Sequence, residues 1–145
     1  MSHVVSVKIQ VKSLDALKMT AVDLGLEFLE NKSDWRWWLS SVGDYPLPEG
    51  FTANDLKKSL HVLRVPNDDR AYDVGVFKSK THEGYELLFD FYGDAGRRLE
   101  SVIGSKGQKL VQGYSANVAK QHYKKIGWRV TSTMKDGKMV LKAYK

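Results

Sequence analysis

Gly84-Tyr85-Glu86-Leu87-Leu88-Phe89-Asp90-Phe91-Tyr92 alternates with a period of two. In an extended chain Tyr85, Leu87, Phe89 and Phe91 fall on one side, and Glu86, Leu88, Asp90 and Tyr92 on the other. This is the pattern of a strand with one wholly apolar face. Just upstream, Thr81-His82-Glu83-Gly84 reads as a hairpin turn back to a second strand over residues 72–78. A third, over 60–65, stops at Pro66 and the turn-forming Asn67-Asp68-Asp69. Strands joined by such short turns lie antiparallel, and that sets the fold class.

The same reasoning extends outward. Val5, Val7, Ile9 and Val11 alternate with Ser6, Lys8 and Gln10, as in a strand with one apolar face. Ser13 is placed to cap a helix whose apolar stripe is Leu14, Leu17, Ala21 and Leu24, with Asp15 in the first turn and Gly25 at the end. Residues 26–30 return as a short strand. Residues 94–103 form one helix and 109–126 a longer one, striped by Leu110, Tyr114 and Val118 and closed by Gly127. Asp136-Gly137 then turns a hairpin between residues 128–133 and 138–144. The expectation is a single α+β domain spanning 1–145: a mainly antiparallel sheet of about six to seven strands with two main helices packed on it. Residues 31–56, with Trp35, Trp37 and Trp38, read as an inserted aromatic loop segment, with a short helical turn near 55–58.

Charge is distributed unevenly. From Gly96 to the end stand twelve Lys and Arg against Glu100 and Asp136, a balance of +10 in a protein of net +6. The first 95 residues therefore sum to −4. A concentrated positive field attracts phosphate backbones and other polyanions. The chain has no cysteine, which excludes disulfides, thiolate catalysis and sulfur-ligated zinc. The opening residues lack the pattern of a secretory signal, and no stretch approaches a membrane span, so a soluble cytoplasmic protein without membrane partners is expected.

Several short motifs share an order. Met1-Ser2-His3 precedes the first strand; Leu14-Asp15-Ala16-Leu17 leads to Leu24-Gly25. Tyr72-Asp73-Val74-Gly75 is followed by Gly84-Tyr85-Glu86-Leu87 and Asp90-Phe91-Tyr92-Gly93. Tyr114, Ala116, Val118 and Lys120 come next, then Gly127-Trp128 and Asp136-Gly137. In these motifs the chain resembles the hypothetical chloroplast open-reading-frame thirty-five family, shared by plastids, cyanobacteria, other bacteria and phages. The resemblance covers most of the chain. Residues 31–56 and 104–107 depart from it. It implies an α+β fold and no catalytic residues, because the family has no assigned molecular function.

Four groups of residues invite a functional reading, each beside an ordinary one. Gly104-Ser105-Lys106-Gly107, followed by Lys109, resembles the Gly-x-x-Gly loop by which KH domains clamp a single strand. Glycines let the backbone approach phosphates, and the next helix aims its first N–H groups at them. The ordinary reading is a helix–helix turn. Trp35, Arg36, Trp37 and Trp38 form either an exposed platform for a partner or a base, or two core residues and one edge cover. Lys120, Lys124 and Lys125, joined by Arg129, mark either a solvated helix face or a phosphate-contacting one, and no acid three or four residues away offsets them. Asp73, Glu86 and Asp90 lie on strands that converge, so they are either acid–base pairs or ordinary solvent-facing acids. His3, His61, His82 and His122 show no ligand spacing, and no metal or cofactor is implied. The reading is a small non-enzymatic binding or adaptor protein with a macromolecular partner, protein or nucleic acid. Its alternative form binds single-stranded nucleic acid through the basic C-terminal third and the Gly-x-x-Gly loop.

Overall fold

The structure is a computed structural model that describes residues 4–6, 9–38 and 47–145. The opening Met1-Ser2-His3, Val7-Lys8 of the expected first strand, and residues 39–46 of the aromatic stretch lie outside them. In chain order the elements are β1 (Val4–Ser6), α1 (Leu14–Leu24), β2 (Glu27–Leu29), β3 (His61–Arg64), β4 (Val74–Lys78), β5 (Tyr85–Asp90), α2 (Gly93–Ile103), α3 (Gln108–Lys125), β6 (Arg129–Lys135) and β7 (Lys138–Tyr144).

The first five strands make one antiparallel sheet in the order β1-β5-β4-β3-β2. Because β1 and β2 occupy opposite edges, α1 must carry the chain across the sheet. Four inter-strand gaps span about 19 Å and eleven helical residues about 16 Å, so the helix suits the crossing. Its ends form as the residues dictate. The Ser13 side chain accepts from Ala16 N, and Gly25 adopts φ 75°, its N–H closing the last turn on Ala21 and Val22 carbonyls.

Period-two alternation divides the sheet into two buried faces. Leu63, Val74, Val76, Leu87 and Phe89 face the helices, packing on Ala16 and Leu17 of α1, Leu99 and Ile103 of α2, and Leu110 and Tyr114 of α3. Val4, Val62, Phe77 and Leu88 point the other way, beneath Trp35, Trp37, Phe51 and Leu56. The aromatic stretch is therefore the second layer over the sheet. Gly75 makes this possible: a Cβ there would lie 2.8 Å from the Trp35 ring and 2.6 Å from Phe77.

The expected α+β architecture is present, with seven antiparallel strands divided between two sheets: the hairpin β6–β7 is a separate two-stranded sheet beside the five-stranded main one. Three helices pack on the sheet, with α1 the equal of the later pair. The hairpin lies against α3, and no residue of its two strands is buried. Asp136 (φ 53°) and Gly137 (φ 75°) give its turn two successive left-handed residues, as a tight primed turn requires.

Candidate nucleic-acid interface

α3 is fixed on its inner side by hydrogen bonds to α1 and to the two residues that lead into it. The Tyr114 hydroxyl accepts from the N–H groups of Lys12 (2.9 Å) and Ser13 (3.2 Å). Asn117 Nδ2 donates to Thr20 Oγ1 (2.9 Å) and Asp23 Oδ2 (3.1 Å), and the Ser13 hydroxyl donates to Gln121 Oε1. The opposite side of α3, with Val111, Gln112, Ser115 and Ala116, looks at Met139 and Leu141 of β7 across a cleft of about 310 Å³. Gly127 (φ 78°) turns the chain into the hairpin, and Trp128 lies against Tyr123 with ring centres 5.6 Å apart.

Strand register sorts the hairpin into two faces, since paired residues share a side. Val130 with Ala143, Ser132 with Leu141, and Met134 with Met139 form the inner face toward α3. Arg129 with Tyr144, Thr131 with Lys142, Thr133 with Val140, and Lys135 with Lys138 form the outer one. The outer face holds four cations and no acid. Lys135 and Lys138 stand directly opposite each other, an unfavourable like-charge pair in the free protein. At the base, Gly127, Arg129, Thr131, Tyr144 and Lys145 surround a shallow depression of about 530 Å³.

Of the twelve cations in the last third, only Arg98 forms an ion pair among the described residues, with Asp94 (2.8 Å) and Asp68 (3.1 Å). Lys106, Lys109, Lys124, Lys125 and Arg129 are exposed, and Lys120 is half-buried. Helical spacing puts Lys120 and Lys124 one turn apart on one side of α3, with Lys109 about 16 Å away along the same side. Lys125 and Arg129 stand nearer the hairpin's root.

The loop 104–107 does join α2 to α3, but β6 does not re-enter the sheet that holds β5. Gly104, Lys106 and Gly107 all have positive φ, and a Cβ on Gly107 would lie 3.3 Å from the Phe89 ring. The Lys106 N–H donates to Glu100 Oε2 (3.1 Å), so a carboxylate already sits where a phosphate would compete. Ser105 and Lys106 remain exposed.

The aromatic candidates separate. Trp35 (3% exposed) and Trp37 (7%) stack in the second layer at 5.5 Å, and Trp35 Nε1 donates to the Leu56 carbonyl (2.7 Å). They are not part of an exposed platform. Trp38 (37%) meets Tyr92 edge-on at the rim. Arg36 lines a cleft of about 400 Å³ of mixed charge, with Arg64, Asp68 and Asp69.

The strand acids are buried, contrary to the solvent-facing expectation. Asp73 binds Arg64 (2.8 Å) and accepts the Arg36 N–H (2.8 Å); this contact raises the Arg64 pKa further above its usual value. Asp90 accepts from Trp38 N (3.1 Å) and Tyr92 N (3.0 Å). The two carboxylates thus hold the backbone of the tryptophan stretch onto the sheet. Glu86 accepts from Ser79 and Thr81 hydroxyls and lies 3.6 Å from His82, organising the β4–β5 turn. Sequence reasoning missed the anchoring roles of Asp73 and Asp90 because the groups they hold in the tryptophan stretch are main-chain N–H groups, which no side-chain pattern announces.

Among the described residues, no three His, Asp or Glu gather as a metal site, and no helix is long and apolar enough to cross a membrane. Comparison with known proteins gives no match among family models, curated proteins or solved structures.

Proposed function

We propose that this protein is a small non-enzymatic binding protein that docks nucleic acid through its cationic C-terminal third. One observation carries the reading: eleven of the twelve Lys and Arg beyond Gly96 form no ion pair among the described residues, and most of them lie on α3 and on a hairpin that stands apart from the main sheet. Cations serving only stability would be expected beside acids. The carboxylates that might have served catalysis hold main-chain N–H groups and Arg64 instead. The motif resemblance to the chloroplast open-reading-frame family brings no activity with it, so the surface supports the proposal by itself.

Fluorescence anisotropy with labelled mixed-sequence DNA, from 50 to 300 mM salt, tests it. Micromolar binding that weakens by roughly 0.7–0.9 log units per phosphate contact for each log unit of salt is expected. Replacing Ser105 and Lys106 by aspartates should weaken binding only modestly, because Glu100 already holds the loop; abolished binding would restore the loop as a clamp. No binding at 50 mM salt would leave the surface to an acidic protein partner.

A further inference from the structure

We infer that the outer face of the β6–β7 hairpin is a groove-inserting ribbon whose ligand is B-form duplex DNA, a deepening that rests on the nucleic-acid reading above. The hairpin has the right division of labour. Its inner face carries mostly apolar side chains toward α3, and register puts Arg129, Thr131, Thr133, Lys135, Lys138 and Lys142 on the outer face, Lys138 also bordering the α3 cleft and Asp136 in the turn being the one acid nearby. A two-stranded antiparallel ribbon fits the B-DNA major groove, which is about 12 Å wide. Six residue steps along β6 cover about 20 Å, roughly two-thirds of a helical turn of DNA.

Chemistry is graded along this face. Thr131 and Thr133 occupy its middle, where short hydroxyl side chains suit base edges, and Val140 opposite Thr133 offers an apolar surface to a thymine methyl. Cations stand at both ends: Lys135 and Lys138 at the tip, Arg129 and Lys145 at the base. That is where the flanking phosphate strands would pass, and phosphate contacts set register.

The same face argues against other nucleic acids. Single strands are gripped by stacking bases on exposed aromatics. Here Tyr144 is the one aromatic on the ribbon's outer face, its hydroxyl 3.3 Å from Thr131 Oγ1, while Trp35 and Trp37 are buried in the second layer. A-form RNA duplexes have a major groove too narrow for a ribbon to enter.

The test uses the full chain and labelled 25-mers of one sequence as duplex DNA, single-stranded DNA and duplex RNA, titrated at 100 mM salt. Duplex DNA should bind at least tenfold more tightly than the other two. The triple variant Arg129→Ala/Lys138→Ala/Lys142→Ala should lose tenfold or more, with a salt slope shallower by about 2–3 for three lost phosphate contacts. The α3 variant Lys120→Ala/Lys124→Ala should lose less than the ribbon variant. As a measurement needing no variant, duplex methylated at guanine N7, in the major groove, should bind several-fold more weakly. If single strands bind as tightly as duplex, if N7 methylation has no effect, or if only the α3 variant loses affinity, the ribbon assignment fails while nucleic-acid binding stands. If none of the three ligands binds at 50 mM salt, both fail together.

Discussion

Asp73 shows how one side chain joins the aromatic layer to the sheet. Its oxygens hold Arg64, whose side chain is 17% exposed, and the N–H of Arg36 at the start of the tryptophan turn. Asp73→Ala would leave a largely buried guanidinium without its partner and a main-chain donor without an acceptor. A loss of about 3–5 kcal/mol in urea unfolding is expected; a loss below 1 kcal/mol would show that the turn docks by apolar packing alone. His61 makes a different test. Its Nδ1 accepts the Asn31 N–H (2.9 Å), and burial, aided by Lys18 and opposed by Glu30, holds its pKa below the ordinary 6.5. The unfolded chain protonates this ring at higher pH than the folded protein does. The stability that the neutral ring contributes is therefore complete above 6.5 and is lost as pH falls through the folded pKa. His61→Gln should flatten the decline in unfolding free energy between pH 7.5 and 5, and parallel curves for the two proteins would assign the decline to other groups.

At the scale of elements, a hairpin of two strands is marginal in water, and this one has only α3 as its main support. Met134 is 60% exposed, and a cleft separates Met139 and Leu141 from α3. Amide exchange should thus be far faster in β6 and β7 than in β3, β4 and β5, and duplex DNA should slow it in the hairpin alone. Equal protection throughout would make the hairpin an integral part of the core. The elements themselves were legible in the sequence. Alternation over 84–92 located the interior strand β5 and both its faces, Ser13 and Gly25 located α1, and Asp136-Gly137 located the last turn. What stayed hidden was association. Alternating residues in β6 and β7 state that one face is apolar, but not whether a sheet or a helix covers it. The tryptophans likewise announce burial without naming Gly75, whose missing side chain opens the space for Trp35. The candidate surface was legible as charge but not as shape: Lys120, Lys124, Lys125 and Arg129 were readable as unpaired cations, whereas the outer face of the ribbon emerges only from strand register.

For the whole molecule, fold and charge are carried by separable parts. The five-stranded sheet, the aromatic core beneath it and every described ion pair lie before residue 104, the helix-side core ends with Leu110 and Tyr114 of α3, and the five cations from Arg129 through Lys142 and at Lys145 stand on an arm supported chiefly by α3. α3 keeps its own anchorage without that arm, because Tyr114, Asn117 and Gln121 bind α1. Removing residues 127–145 uncovers Val111, Gln112, Ser115 and Ala116 and the Tyr123 ring that meets Trp128, while the side chains it deletes were at best half-buried. The shortened chain should therefore fold with a loss of only about 1–3 kcal/mol. It should retain the near-ultraviolet signal of the stacked Trp35 and Trp37 and lose that of Trp128. Its formal charge falls by four, from the five cations and Asp136 removed, to about +2, and with it most duplex affinity and most of the salt slope. Retained fold with lost binding would establish that the arm carries the ligand. Retained binding would move the interface onto α3 and the 104–107 loop, and an unfolded product would show that the hairpin completes the core after all.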